Sequence, residues 1–177
     1  PHATACLTSP PSNGLDCPTF STHNTTNGVE IRKYPSLYWA STTIQGINLT
    51  DATQTGFFRL FDYISGADAS HEKIPMTAPV RTRVVPGAGP FCADSFTVSF
   101  YLPNKYQASG DAPKPTNPNV TIAMTEPITV AVQPFSGDSS NEGLVLENVQ
   151  KLGTKLEAVN IAYNQTVYQT AGYSAPL

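Results

Sequence analysis

The side chains able to do chemistry in this chain are few and scattered. The three histidines, His2, His23 and His71, fall in segments that read as arm or loop. There is no Gly-x-Ser-x-Gly elbow, and Pro86-Gly-Ala-Gly-Pro90 lacks the Lys and following helix of a phosphate loop. His71-Glu72 reads as a solvated loop pair. Cys6, Cys17 and Cys92 have no clustered histidines with which to build a zinc site. With no acid–base pair and no activated nucleophile in view, the expected role is binding rather than catalysis. The spacing that stands out is aromatic. Phe57 and Phe61 share one face of a predicted helix, and Phe58 sits about 100° away. One face must pack on a sheet. Either all three rings enter the core, or one or two line a cleft where a flat macrocycle would gain from apolar burial. Met76 lies near in sequence and reads as core filler or as part of the same region.

The elements that position these residues are legible as patterns. Asp51 with Gln54 reads as a capping box. Phe57, Leu60, Phe61 and Ile64 then recur with helical spacing until Gly66. Lys73-Ile-Pro-Met-Thr-Ala-Pro-Val80 follows. Two prolines four residues apart exclude a helix and hold Ile74 and Ala78 extended, so 73–85 is expected as an irregular or edge strand. Upstream, Val29 to Ile44 reads as one long strand or two short ones bent near Pro35. Ser95 to Leu102 alternates, with Phe96, Val98, Phe100 and Leu102 on one face. Pro103 to Asn119 reads as a long polar loop, and Val120 to Phe135 as strand interrupted near Pro127. Ser139 with Glu142 predicts a second helix striped by Val145, Val149, Leu152 and Leu156, and weakened by Gly153. Asn160 to Tyr168 is expected as a strand, after which 171–176 leaves the sheet.

Val29-x-Ile31 with Ala40 matches Val120-x-Ile122 with Ala131 at one offset, and a capped helix follows each. The order predicts an α+β fold of two strand–helix–strand–strand units, packed as a barrel or sandwich. A chain of 177 residues reads as one domain. Residues 1–18, rich in Pro, Ser and Asn, read as an irregular arm, and 19–177 as the domain. Net charge is −3 with no basic run, which argues against nucleic acid as a partner. No apolar stretch approaches the roughly 18 residues that span a bilayer. Four sequons, at Asn24, Asn48, Asn119 and Asn164, together with only 13% charged residues, favour a secreted glycoprotein. The start at Pro1 fits a removed signal peptide or a trimmed chain. Three cysteines leave one odd. Cys17–Cys92 is the first choice of disulfide, ahead of Cys6–Cys92 and Cys6–Cys17.

From about Cys17 to Leu177 the chain resembles the SOUL/haem-binding protein family, most like its plant or algal secreted members. The resemblance is carried by Val29-Glu-Ile-Arg-Lys-Tyr34, the 51–63 helix and Lys73–Val80. Gly89-Pro-Phe91, Thr97–Pro103, Phe135-Ser-Gly137 and Thr170-Ala-Gly-Tyr173 extend it in order. It implies a distorted antiparallel β-barrel of two βαββ units with two flanking helices. It also implies non-covalent binding of haem or another tetrapyrrole, such as a bilin, in a shallow apolar groove. Carried over by position, the groove wall is Gln54, Phe57, Phe58, Phe61 and Asp62. The facing loop is Tyr173, Ser174, Ala175, Pro176 and Leu177, with Met76 nearby.

Three positions depart from the family pattern. Lys33 stands where some members place a histidine proposed to ligate iron. Gln54 and Asp62 stand where others place basic residues suited to propionates, and Asp62 would repel one. Arg59 and Lys73 are the remaining cations of the region. Iron ligation is therefore not expected. The leading expectation is a secreted carrier, buffer or sequestering protein for a tetrapyrrole. The second is a pigment-free structural or protein-interaction domain on the same scaffold. The third is an enzyme acting on a small molecule or tetrapyrrole, which no acid–base pair supports.

Overall fold

The computed structural model describes residues 4–5, 14–46, 48–88 and 94–173. In chain order these form β1 (Thr4–Ala5), β2 (Thr19–Thr26), β3 (Val29–Tyr34), β4 (Tyr38–Gly46), α1 (Leu49–Ile64), β5 (Val80–Val85) and β6 (Asp94–Tyr101). There follow α2 (Asn104–Gln107), β7 (Thr121–Met124), β8 (Ile128–Val132), α3 (Glu142–Ala158) and β9 (Tyr168–Gly172). The strands make two antiparallel sheets, ordered β1-β2-β3-β8 and β7-β4-β6-β5-β9.

One bent ribbon joins the sheets. β3 pairs with β8, ending at Tyr34 opposite Ile128. β4 pairs with β7, starting at Tyr38 opposite Met124. Both ladders keep one register, so Pro35 stands opposite Pro127 in the gap between them. Neither proline can donate to a ladder, and both strands break at the same place. Thr125 N donates to Leu37 O at 2.9 Å and keeps the two strands in step across the gap. The pairing also has the symmetry of a duplication. Ile31 faces Ala131, and the matching Ile122 faces Ala40.

The α+β class holds, and no closed barrel is formed among the described residues. Among the described residues they meet along this ribbon, and no ladder links their other edges. The first unit is complete as β4-α1-β5-β6, whereas α3 is followed by β9 alone among the described residues.

Several local expectations are corrected. α1 is capped by Asn48, whose Oδ1 accepts from Asp51 N at 3.1 Å, and not by Asp51. Leu49 and Ala52 are buried, so the apolar stripe starts earlier than the capping-box pattern placed it. α3 is capped by Asn141, Oδ1 accepting from Leu144 N at 3.0 Å, and not by Ser139. Ser139 instead packs on Gly172, where an added Cβ would lie 2.8 Å from its Oγ.

The 73–79 segment joins no ladder, and the strand begins at Val80. Its donors go elsewhere: Ile74 N to Ile64 O at 2.8 Å, Ala78 N to Asp16 O at 3.0 Å, and Thr77 Oγ1 to Tyr101 O at 2.6 Å. The bond to Asp16 and burial of Cys17 hold the end of the expected arm against the body. The 103–119 loop contains α2, whose Gln107 side chain bonds both Tyr38 N and Tyr38 O.

Residues 160–167 are not a strand. Asn164 Oδ1 accepts from Thr166 N and Oγ1 at 2.9 and 2.7 Å, a local turn that competes with a ladder. The strand is β9, so Ala171 and Gly172 stay in the sheet. The α3 stripe is as expected, with Val145 and Leu156 buried. Gly153 has a packing reason: a Cβ there would sit 2.6 Å from the Tyr163 hydroxyl.

Candidate ligand-binding face on the first helix

α1 lies across the five-stranded sheet. It buries Leu49, Ala52, Gly56, Leu60, Tyr63 and Ile64. The contact is close because residue 56 is glycine. A Cβ at that position would stand 2.4 Å from Val98 Cγ2 and 3.0 Å from Ile44 Cδ1. This approach fixes the rotation of the helix and so decides where its aromatic rings point.

Phe57 is half-buried, with its ring 5.3 Å from that of Phe100 on β6. Phe61 stacks on Phe57 at 5.8 Å and 18° between planes, and Phe58 meets Phe57 edge-on at 5.7 Å. Phe58 is 55% exposed and Phe61 44% exposed. The alternative left open by the spacing is thus resolved: one ring anchors, and two form an exposed apolar surface on it. Isolated exposed apolar residues are ordinary, but a contiguous aromatic group is a candidate for a binding surface.

Gln54 and Asp62 are exposed on the same helix. Met76 is half-buried and packs on the core cluster that Phe57 also joins. Gly172 is opposite Val80, itself opposite Phe100, so β9 ends two strands away from the ring beneath Phe57. Tyr173 follows directly and is half-buried. Ser174, Ala175, Pro176 and Leu177 lie outside the described residues, as do Cys6 and Cys92.

Residues 15–177 match the family described as SOUL heme-binding protein. The chain belongs to this SOUL family. It is similar to Heme-binding protein 2 of Homo sapiens, 38% identical over 148 residues that cover 84% of this chain and 71% of that protein. Heme-binding protein 2 of Mus musculus is 37% identical, over 83% and 70% of the two chains. Heme-binding protein 1 of Xenopus laevis is 28% identical, over 84% and 76%.

In this SOUL member the charges around the aromatic face are arranged in a way the sequence did not reveal. Arg59 turns inward, its Nη1 donating to Thr42 Oγ1 at 2.8 Å, and is half-buried. Lys73 is exposed. Tyr63 is buried, donates to Pro113 O at 2.7 Å, and is held by burial above the usual phenol range. Its hydroxyl is therefore committed to packing.

Glu72 is more than a solvated residue. It accepts from Lys105 Nζ at 2.8 Å and from Tyr106 Oη at 2.5 Å, and these bonds, the Lys105 one first, lower its pKa. Asp68 is buried in the same loop. Burial pushes its carboxyl up, but hydrogen bonds from Ser70 and Glu72 outweigh that and leave it below its ordinary value. The loop leading from α1 to 73–79 is thereby fixed. The asparagines of all four sequons, Asn24, Asn48, Asn119 and Asn164, are exposed.

Proposed function

We propose that this protein binds haem or a related tetrapyrrole non-covalently on the α1 aromatic face, as a secreted carrier, buffer or sequestering protein. The observation that carries this reading is the pair Phe58 and Phe61, exposed side by side on the half-buried Phe57. A flat macrocycle laid on these rings removes apolar area from both partners. The relatives' names, Heme-binding protein 1 and 2, support the ligand class.

The exposed rings fit the apolar faces of a porphyrin, and we expect no ligand to its iron from α1. α1 contains no His, Cys or Met. His23 lies on β2 and His71 bonds toward Gly66 O beyond the end of α1. Bound haem would supply its redox-active iron. This chain would supply a surface, with Lys73 the exposed cation available to a propionate and Asp62 opposing one. A binding role, not catalysis, is the reading.

Secretion is supported by the four exposed sequon asparagines. Asn48 and Asn164 use Oδ1 for their local bonds, which leaves Nδ2 free to carry a glycan. Deglycosylation of protein from its source should lower its mass by the attached glycans. A disulfide from buried Cys17, with Cys92 as first choice of partner, should appear in non-reducing peptide mass mapping.

Exposed Asp62 beside Phe61 favours a second reading, a pigment-free interaction surface. Titration with hemin, protoporphyrin IX and biliverdin separates the two. Saturable binding that weakens in Phe58→Ala and Phe61→Ala is expected. No saturable binding of any of the three would leave the interaction reading.

A further inference from the structure

The five-stranded sheet has a second face, turned away from α1. Ala40, Val98 and Phe100 belong to the core beneath the helix, so strand alternation directs Trp39, Ser41, Ser99, Tyr101 and Arg81 to the other side. Ser41 and Ser99 bond there through their hydroxyls at 2.8 Å. Trp39 and Tyr101 meet edge-on at 5.5 Å and form a small cluster with Leu37 and Tyr34.

Arg81 has no hydrogen-bond acceptor among the described residues. Its guanidinium lies 3.9 Å over the Trp39 ring. Its Nε is fully enclosed and unpartnered, and neither Nη makes a hydrogen bond or ion pair among the described residues. Trp39 is 4% exposed, and its buried Nε1–H also lacks an acceptor. Burial, with Arg83 on the same strand, pushes the guanidinium pKa down to about 10, while the nearby Tyr34 works the other way.

Arg81 is half-buried, and a cation without a counter-charge is costly to the extent that it is taken out of water. The same protein pairs another arginine with an acid, although the Nε of that residue, Arg32, is also enclosed and unpartnered. Arg32 also lies over a ring, 4.4 Å from Phe20, but it pairs with Glu30 Oε2 at 2.9 Å. Arg81 has the ring but pairs with no acid among the described residues. Its Nη atoms are unbonded and are not among the enclosed unpartnered atoms, so the fork edge of the group remains reachable.

We propose that Arg81, backed by Trp39, is a subsite for the carboxylate of a small organic acid on the face of the five-stranded sheet turned away from α1. A guanidinium fork takes a carboxylate through two parallel hydrogen bonds. Half-buried Tyr34, at the edge of the buried Leu37, Trp39 and Tyr101 cluster, suits a small apolar body attached to the carboxylate better than a fully hydrated inorganic ion. The subsite lies on the opposite face of the sheet from α1 and does not depend on tetrapyrrole binding.

Trp39 is the single tryptophan of the chain, so indole emission reads this site directly. The full chain is titrated at constant ionic strength with benzoate, benzyl alcohol and inorganic phosphate. Benzoate should change the emission saturably, and neither of the others should match it. Arg81→Gln should weaken benzoate at least about tenfold, with Arg81→Lys between the two. Hemin titration of Arg81→Gln should be unchanged, which separates this subsite from the α1 face. Should that variant fail to fold, transferred NOEs from benzoate protons to the indole of the unsubstituted protein provide the same test. The proposal is overturned by no saturable response to benzoate, or by undiminished response in folded Arg81→Gln. An equal response to benzyl alcohol would reject the charge pairing, and an equal response to phosphate would reject the organic acid.

Discussion

The two faces of the five-stranded sheet solve opposite problems. Under α1 the face is apolar and closed, and the helix passes its surplus aromatic surface outward as Phe58 and Phe61. On the other face the sheet keeps a cation, Arg81, stacked on Trp39 without an acid to neutralise it. Both are departures from the economy of a structural protein. One leaves apolar area in water, the other leaves charge partly out of it. Each departure costs stability and makes sense if a ligand relieves it. The contrast with Arg32–Glu30 and with buried Leu60 and Tyr63 sharpens the point, because Leu60 and Tyr63 are packed away from water and Arg32, although its Nε is also unpartnered, has an acid on its Nη2.

The comparison depends first on how closely α1 is seated. Gly56→Val should cause the largest effect, a loss of about 3 kcal/mol or more in urea unfolding, because its side chain would enter the space of Val98. Gly56→Ala should cost about 1–3 kcal/mol. A neutral result would mean that something other than this contact fixes the rotation of the helix. Next come the rings. Phe58→Ala and Phe61→Ala should each weaken hemin about five- to tenfold, in line with about 1–1.5 kcal/mol of apolar burial. Their unfolding free energies should move by less than about 0.5 kcal/mol, since both rings face water.

On the second face, Arg81→Met should leave stability unchanged or raise it by about 1 kcal/mol, because it removes a half-buried charge whose enclosed Nε is unpartnered. A loss of several kcal/mol would show that the guanidinium is already satisfied and would break the contrast with Arg32. The smallest effect is expected at Asp62. Asp62→Lys should tighten hemin by about two- to threefold, and added salt should erase the gain.

Much of the scaffold was legible because it rests on local signals. Pro35 and Pro127 marked both strand breaks, and the helical spacing of Leu60 and Ile64 placed α1. The matched Val-x-Ile and Ala positions anticipated the symmetric pairing of Ile31 with Ala131 and Ile122 with Ala40. Boundaries failed where two cap residues competed. Asn48 and Asn141 won over Asp51 and Ser139 because the buried stripe, not the capping-box pattern, sets the first turn. The 73–79 segment was read as strand because its prolines exclude a helix. Its free donors instead found Asp16, Ile64 and Tyr101, which are remote in sequence.

For the site, sequence named the three rings but not which of them point outward. That depends on the Gly56–Val98 contact, a tertiary fact. The inward turn of Arg59 and the Arg81–Trp39 stack were invisible for the same reason. They depend on strand register and on neighbours that linear spacing does not give.

The central claim is that the exposed rings of α1 bind a tetrapyrrole through apolar contact without holding its metal. Parallel titration of hemin and protoporphyrin IX into the unsubstituted protein and the Phe58→Ala/Phe61→Ala double variant tests it directly. Matching affinities for the two porphyrins, both weakened at least about tenfold in the double variant, are the predicted result. Much tighter binding of hemin than of the metal-free ring, or binding unchanged in the double variant, would contradict it.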